Sequence, residues 1–181
     1  MTEELTMIKD YLQLVIEAAR SRPAQNAHWP YCCIEDFVLR NGKHYSEMAA
    51  KRIKKGEAKL CFMNSYKFAE KYGFGYVEGY SITSLGLPML HAWNTTVDGR
   101  IVDSTWKDGR AYFGVELPLW YVNKVIFRRE SYGVLDCWEI GWPLLTGKHR
   151  WPLNKKEFTD AEINPEKGVA LWPQRRSVTR L

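Results

Sequence analysis

The hairpin between residues 91 and 106 constrains the fold more than any other part of the chain. An Asp-Gly pair at residues 98–99 separates two short runs of strand-forming residues, which is a strong hairpin signal. His91 opens the first run, and Asp103 lies in the second. Because side chains alternate between the faces of a strand, the length of the loop decides whether these two residues share a face.

Two loop lengths are compatible with this hairpin, and they lead to different functions. A two-residue loop turns Asp103 away from His91 and leaves an ordinary hairpin with a half-buried histidine. A three-residue loop that ends in a left-handed glycine bulge pairs Trp93 with Asp103. His91 and Asp103 are then diagonal neighbours on one face, about 7–8 Å apart at the backbone and within side-chain reach. This second register predicts a positive φ at Gly99.

A helical pattern over residues 61–72 begins with a cysteine and ends at Gly73, a typical helix stop. Its apolar stripe consists of Phe62, Tyr66 and Ala69. In a first helical turn, free backbone N–H groups and the helix dipole favour a thiolate, and Lys59 adds positive charge. Cys61 is therefore a candidate nucleophile; the alternative is a cysteine packed in the core.

A cysteine at a helix start, a histidine on one strand and a carboxylate on the next form the set that nucleophilic catalysis requires. Cys61 would attack an amide or acyl carbonyl, and His91 would take its proton and later give it to the leaving amine. Asp103 would fix the tautomer of the imidazole and stabilise the imidazolium. The three residues predict a cysteine-dependent hydrolase or acyltransferase acting on amide bonds of a protein or peptide, without a cofactor or metal.

Four segments, in this order along the chain, resemble the transglutaminase-like superfamily: Cys61, Tyr76-Val77-Glu78-Gly79-Tyr80, His91-Ala92-Trp93-Asn94 and Val102-Asp103-Ser104-Thr105-Trp106. The resemblance covers roughly residues 56–115. It implies a papain-like α+β core in which a helix carrying Cys61 packs on an antiparallel sheet carrying His91 and Asp103. It also implies the same three catalytic roles. Members include transglutaminases, peptidases, deamidases and inactive scaffolds, so the triad does not select a substrate.

The sequence departs from that family in the segment before the cysteine. Members often carry a Trp or Gln there that helps to form the oxyanion site, whereas this chain has Lys54, Lys55, Gly56, Glu57, Ala58, Lys59 and Leu60. The backbone N–H of Cys61 can serve as one oxyanion donor, and the second is unassigned. Asn64, Trp93 and Tyr80 are candidate substrate-binding or oxyanion residues, although an Asn at this position more often bonds its local backbone. No calcium-binding carboxylate cluster is evident.

Composition points to a globular protein in the reduced cytoplasm. The chain has 181 residues, 45% of them hydrophobic, a formal charge of +5 and four cysteines without a Cys-x-x-Cys pair. No apolar run approaches the ~20 residues of a membrane span, so we expect no membrane partner. The basic residues around Lys51, Arg52 and Lys54 leave an alternative open, an inactive scaffold that binds an acidic protein or, less expected, nucleic acid. A metal site built on Cys61 and His91 lacks a convincing third ligand.

The rest of the chain reads as one domain over residues 1–181. We expect an N-terminal helix over about 2–20, the core over about 56–115, and a C-terminal tail over about 147–181 that wraps around it. Cys32 and Cys33 are expected to pack structurally. Between residues 117 and 145, helix and strand signals compete and leave a mixed aromatic layer that packs on the sheet.

Overall fold

The fold is α+β, built from one antiparallel sheet and a set of packed helices. The structure is a computed structural model, and it describes residues 2–21, 28–49 and 55–163. The helices are α1 (Glu3–Arg20), α2 (Ile34–Asn41), α3 (Cys61–Tyr72), α4 (Leu119–Arg129) and α5 (Asp160–Ile163). The strands are β1 (Lys43–Tyr45), β2 (Gly75–Ile82), β3 (Pro88–Thr95), β4 (Ile101–Val102) and β5 (Ala111–Leu117). The sheet has the strand order β1-β5-β2-β3-β4, and each neighbouring pair is antiparallel.

Two of the predicted helices are confirmed, including their ends. α1 begins after Thr2, whose side chain accepts a hydrogen bond from the Leu5 N–H and so satisfies a free donor of the first turn. One face of α1 is buried in the core through Leu5, Ile8, Leu12 and Ile16. α3 runs from Cys61 to Tyr72 and ends at Gly73, which has a left-handed φ of 67°.

The sheet separates two apolar clusters. The larger one fills the space between the sheet and the helices α1 to α4. The smaller one lies on the opposite face of the sheet and consists of Tyr45, Val77, Trp93, Ile101 and Tyr112. Gly114 makes this second cluster possible, because a Cβ there would lie 2.6 Å from the ring of Trp93. His91 and Trp93 are two residues apart on β3, so their side chains share the face that carries the smaller cluster. The candidate site is on this face.

The region in which helix and strand signals compete contains a helix and an irregular segment. α4 covers residues 119–129, and a single turn of 3-10 helix follows at Trp138–Ile140. Of the expected tail, the part up to residue 163 packs on α4, where Lys124 Nζ lies 2.6 Å from Glu162 Oε1. The remainder, residues 164–181, lies outside the described residues. None of the helices in the described part of the chain has the length and apolar character needed to cross a membrane.

A buried carboxylate on β2 holds the irregular segment against the sheet. Glu78 is 0% exposed. Its carboxylate accepts hydrogen bonds from the N–H groups of Val134 and Leu135, at 2.6 and 2.9 Å, and from the Tyr76 hydroxyl at 2.6 Å. Burial raises the pKa of Glu78, while its three donors and the charge of Arg129 act in the opposite direction. The three donors satisfy the carboxylate where water does not reach it.

Replacement of Glu78 by glutamine tests this role. Both carboxylate oxygens of Glu78 accept backbone N–H groups, and Glu78→Gln replaces one of these oxygens by an NH₂ group, which cannot accept. One buried N–H donor then loses its partner. We expect the free energy of unfolding to fall by about 2–4 kcal/mol, measured by urea denaturation. Glu116→Gln, which removes a carboxylate that is 43% exposed on the neighbouring strand, is the matched control and should change stability little. Equal losses in the two variants would contradict the anchoring role.

Candidate active site

The hairpin adopts the register that brings His91 and Asp103 to one face. Asn94 pairs with Val102 and Thr95 with Ile101, which continues to Trp93 opposite Asp103. The Gly99 N–H donates to the Thr96 carbonyl at 2.8 Å, and Gly99 has a φ of 81°. The three-residue loop and its left-handed glycine bulge are therefore confirmed, and the two-residue loop is excluded.

The imidazole of His91 and the carboxylate of Asp103 meet directly. The distance from His91 Nε2 to Asp103 Oδ2 is 2.7 Å, and both side chains are fully buried, with 0% exposure. Burial lowers the pKa of His91, but the hydrogen bond with Asp103, the nearby Cys61 side chain and the negative charges of these groups outweigh it and raise the pKa to about 9. Burial raises the pKa of Asp103, yet its interactions with His91 give a net shift downward. At neutral pH the pair is an imidazolium and a carboxylate.

The Asp103 carboxylate is held by four donors. Oδ1 accepts the backbone N–H groups of Thr105 and Trp106, at 2.8 and 2.9 Å. Oδ2 accepts both the His91 ring and the hydroxyl of Tyr112, at 2.7 and 2.9 Å. Because each oxygen accepts two hydrogen bonds, the carboxylate is held in a single orientation. The imidazole ring of His91 that it contacts is therefore held in place as well.

An indole ring covers one face of the imidazole. The ring centroids of Trp106 and His91 lie 3.8 Å apart, and the planes differ by 11°. Trp93 flanks His91 at 6.3 Å with a plane angle of 19°. Contact with an aromatic face favours a cationic ring, and it keeps water from the hydrogen bond between His91 and Asp103.

Cys61 lies at the first position of α3, partly exposed to solvent. Its side chain lies near enough to the His91 ring to raise the pKa of the ring. Nε2 of His91 is occupied by Asp103, and the buried Nδ1 has no hydrogen-bond partner among the described residues. Nδ1 is therefore the ring nitrogen that is left for the thiol, which is partly exposed to solvent.

Two asparagines hold α3 in place for this contact. The Asn64 amide exchanges hydrogen bonds with the backbone of Glu57 and donates to Thr105 Oγ1 at 2.9 Å. The Asn94 amide donates to the carbonyl of Ser65 in α3, at 2.8 Å, and to the carbonyl of Gly75, at 3.0 Å. The first asparagine joins the start of α3 to the turn after Asp103, and the second joins α3 to β3.

The three residues suggested for substrate or oxyanion binding differ in whether their polar groups have partners. The Asn64 amide is used by the contacts with Glu57 and Thr105. Tyr80 lies on the opposite face of β2, where its hydroxyl donates to Glu35 Oε1 at 2.5 Å. Trp93 is 0% exposed within the smaller cluster, and its buried Nε1 has no hydrogen-bond partner among the described residues. Asn64 and Tyr80 therefore make structural contacts, and substrate binding by any of the three stays a prediction.

The other cysteines lie away from the histidine. Cys32 and Cys33 are free thiols with sulfur atoms 3.8 Å apart, and Cys137 is a buried free thiol. Burial raises the pKa of Cys33 and of Cys137 to about 12. The described residues contain no cluster of three His, Cys, Asp or Glu side chains that could hold a metal ion. The basic residues Lys51, Arg52 and Lys54 lie outside the described residues.

Two residues of the site received no role from the sequence, although Trp106 lies in one of the four segments that carry the family resemblance. Trp106 stands three residues after Asp103, but only the tight turn at the carboxylate brings its ring onto His91. Tyr112 reaches Asp103 from β5 because β5 pairs with β2 in a register that places Tyr112 opposite Ser81.

Comparisons with protein-family models, with curated proteins and with solved structures find no match.

The raised pKa of His91 predicts a loss of stability at alkaline pH. Folding favours the imidazolium, so its contribution is fully present below the unfolded pKa of 6.5 and is lost as the pH rises through about 9. Between pH 7 and 8.5 we expect the free energy of unfolding to fall by roughly 1.5–2 kcal/mol, measured by urea denaturation. His149, whose pKa burial lowers to about 4, acts in the opposite direction but below this window.

Asp103→Asn is the matched variant for this measurement. It removes the charge that holds the proton on His91, so burial then dominates and the ring stays neutral. The pH dependence between 7 and 8.5 should be nearly flat in the variant. The same slope in both proteins would mean that another group is responsible.

Proposed function

We propose that the protein is a cysteine-dependent hydrolase or acyltransferase that acts on amide bonds of a protein or peptide. The supporting observation is one buried imidazole with a carboxylate 2.7 Å from Nε2 and a partly exposed thiol interacting with the ring. Nucleophile, base and orienting acid are the parts that this chemistry requires. Hydrolysis is our first choice, because nothing marks a second site for an amine acceptor.

In this proposal His91 and Cys61 exchange one proton. In the resting form that we propose, the sulfur is a thiolate and Nδ1 of His91 already holds the proton, because the raised pKa of the ring favours the imidazolium. Cys61 is the first residue of α3, where backbone N–H groups without an intrahelical partner and the helix dipole favour a negative charge. The thiolate then attacks the carbonyl carbon of the substrate, and the carbonyl π electrons move to the oxygen, towards the N–H of Cys61.

The tetrahedral intermediate collapses with cleavage of the C–N bond. His91 gives its Nδ1 proton to the leaving nitrogen, which departs as ammonia or an amine and leaves a thioester on Cys61. A water molecule, deprotonated by the now neutral His91, attacks the thioester and releases a carboxylic acid and the thiol. Throughout, Asp103 keeps the second ring nitrogen protonated, so only Nδ1 takes part in the transfer.

The arrangement of elements supports a transglutaminase-like, papain-like core. A helix that begins at the cysteine packs on an antiparallel sheet, and the histidine and aspartate come from consecutive strands of that sheet. This is the order and placement that the resemblance implies. The fold alone does not choose a chemistry, so the proposal depends on the reactivity of the thiol.

Alkylation of the intact protein by iodoacetamide at pH 7 tests the nucleophile. The matched internal control is Cys32, which is also partly exposed but has no histidine partner among the described contacts. We expect Cys61 to react at least about tenfold faster than Cys32, and Cys137 to react slowest, as quantified by mass spectrometry of proteolytic fragments. Asp103→Asn should slow the reaction of Cys61 and leave Cys32 unchanged.

Two results would contradict the proposal. One is a Cys61 that reacts no faster than Cys32, and the other is a fast Cys61 whose rate is unaffected by Asp103→Asn. The second result would show an exposed thiol that is not activated by the histidine and its carboxylate. The scaffold would then be better described as a binding protein.

A further inference from the structure

A tyrosine hydroxyl shares the carboxylate oxygen that binds the histidine. Tyr112 extends from β5, is 2% exposed, and donates to Asp103 Oδ2 at 2.9 Å. The His91 ring uses the same oxygen at 2.7 Å. The turn before β5 leaves space for the hydroxyl, because a Cβ at Gly109 would collide with it.

We propose that Tyr112 is a positioning residue that weakens the hold of Asp103 on the proton of His91 by donating to the oxygen that His91 uses. The role rests on the proposed function in so far as it concerns catalysis. The electrostatic effect on the ring does not depend on it.

The physical reason is that two donors compete for the charge of one oxygen. A donor to an ionised carboxylate stabilises the charge and makes the carboxylate a weaker base. A weaker base attracts the proton on His91 Nε2 less strongly, so the imidazolium is less stable than it would be beside Asp103 alone. Tyr112 therefore limits a pKa that Asp103 and Cys61 raise.

The charged and titratable groups around this contact come from four elements. Asp103 follows β4, Cys61 comes from α3, and the Asp108 carboxylate, in the turn before β5, acts on Tyr112. Ser81 of β2 lies opposite Tyr112 and lowers its pKa, and the backbone N–H groups of Thr105 and Trp106 bind the other oxygen of Asp103. The hydroxyl of Tyr112 is the donor that shares Oδ2 with the histidine.

For the reaction, the consequence is a better balance between acid and base. A histidine that holds its proton too strongly gives it up slowly to a leaving amine and recovers slowly as a base for water. By limiting the basicity of His91, Tyr112 would favour both proton transfers. The hydroxyl touches only Asp103 within the triad, so its effect passes through Asp103 and His91 and not through the substrate.

The experiment is an NMR titration of His91 in the full chain labelled with ¹⁵N-histidine. The His91 signals are assigned by their absence in His91→Gln. In Tyr112→Phe, which removes only the hydroxyl, we expect the titration midpoint of His91 to rise by about half a pH unit above that of the unsubstituted protein. The matched control is Tyr45→Phe, since Tyr45 is in the same buried cluster but its hydroxyl has no hydrogen-bond partner in the part of the chain that the structure describes.

A rise in Tyr112→Phe together with an unchanged midpoint in Tyr45→Phe supports the inference. An unchanged or lower midpoint in Tyr112→Phe overturns it, and so does an equal rise in both variants, which would reflect general loosening of the cluster. If Tyr112→Phe does not fold, Gly109→Ala is titrated instead, because its methyl group would meet the Tyr112 hydroxyl and the ring carbons next to it and so push the hydroxyl away from Asp103. A rise there supports the inference, and no rise overturns it.

The titration needs no substrate, so it separates the two proposals. A raised midpoint in a protein whose Cys61 is unreactive leaves the role of Tyr112 in place and removes the proposed function. A reactive Cys61 with an unmoved midpoint leaves the function in place and removes the role of Tyr112.

Discussion

The structure depends most on a histidine and a carboxylate that meet out of contact with water. Moving two charges from water into a protein interior costs several kcal/mol per ion unless the remaining hydrogen-bonding capacity is satisfied. For Asp103 it is satisfied from outside the pair by three donors, the N–H groups of Thr105 and Trp106 and the hydroxyl of Tyr112, and the Trp106 ring covers His91. The chain from the end of β4 to the start of β5 is folded around that carboxylate, which explains why the turn is tight and Tyr112 points inward.

A second buried carboxylate shows what makes this one different. Glu78 accepts as many backbone N–H groups as Asp103 does, and each also accepts a tyrosine hydroxyl. Yet the pKa of Glu78 is raised and that of Asp103 is lowered. The difference is direct contact with a cation, because Asp103 accepts a hydrogen bond from an imidazolium, whereas within the described part of the chain Glu78 accepts only from neutral donors and Arg129 acts on it through its charge alone. A carboxylate bound only by neutral donors fixes structure, whereas one paired with an imidazole can also govern a proton.

The local parts of this site could be predicted from the sequence, since each depends on residues close together in the chain. The helix that begins at Cys61 follows from apolar spacing and a glycine stop, whereas the sequence allows two hairpin registers, of which the structure has the one with a positive φ at Gly99. The contact of His91 with Asp103 then follows from strand alternation. Tyr112 could not be predicted in this way, because its place depends on how β5 pairs with β2 and not on any spacing from Asp103.

The same distinction explains why Asn64 was a weak candidate on sequence and is informative in the structure. The hydrogen bond from its amide to Thr105 joins residues 41 positions apart, so no local sequence pattern predicts it. That bond connects the start of the cysteine helix to the turn that holds the aspartate, while Asn94 fixes the same helix to the histidine strand. Each triad residue comes from a different element, and buried amides set the relative positions of those elements. Because such amides are costly to leave unpaired, they resist small shifts that apolar packing tolerates. Polar contacts outside the triad therefore determine how closely the thiol, the imidazole and the carboxylate are aligned.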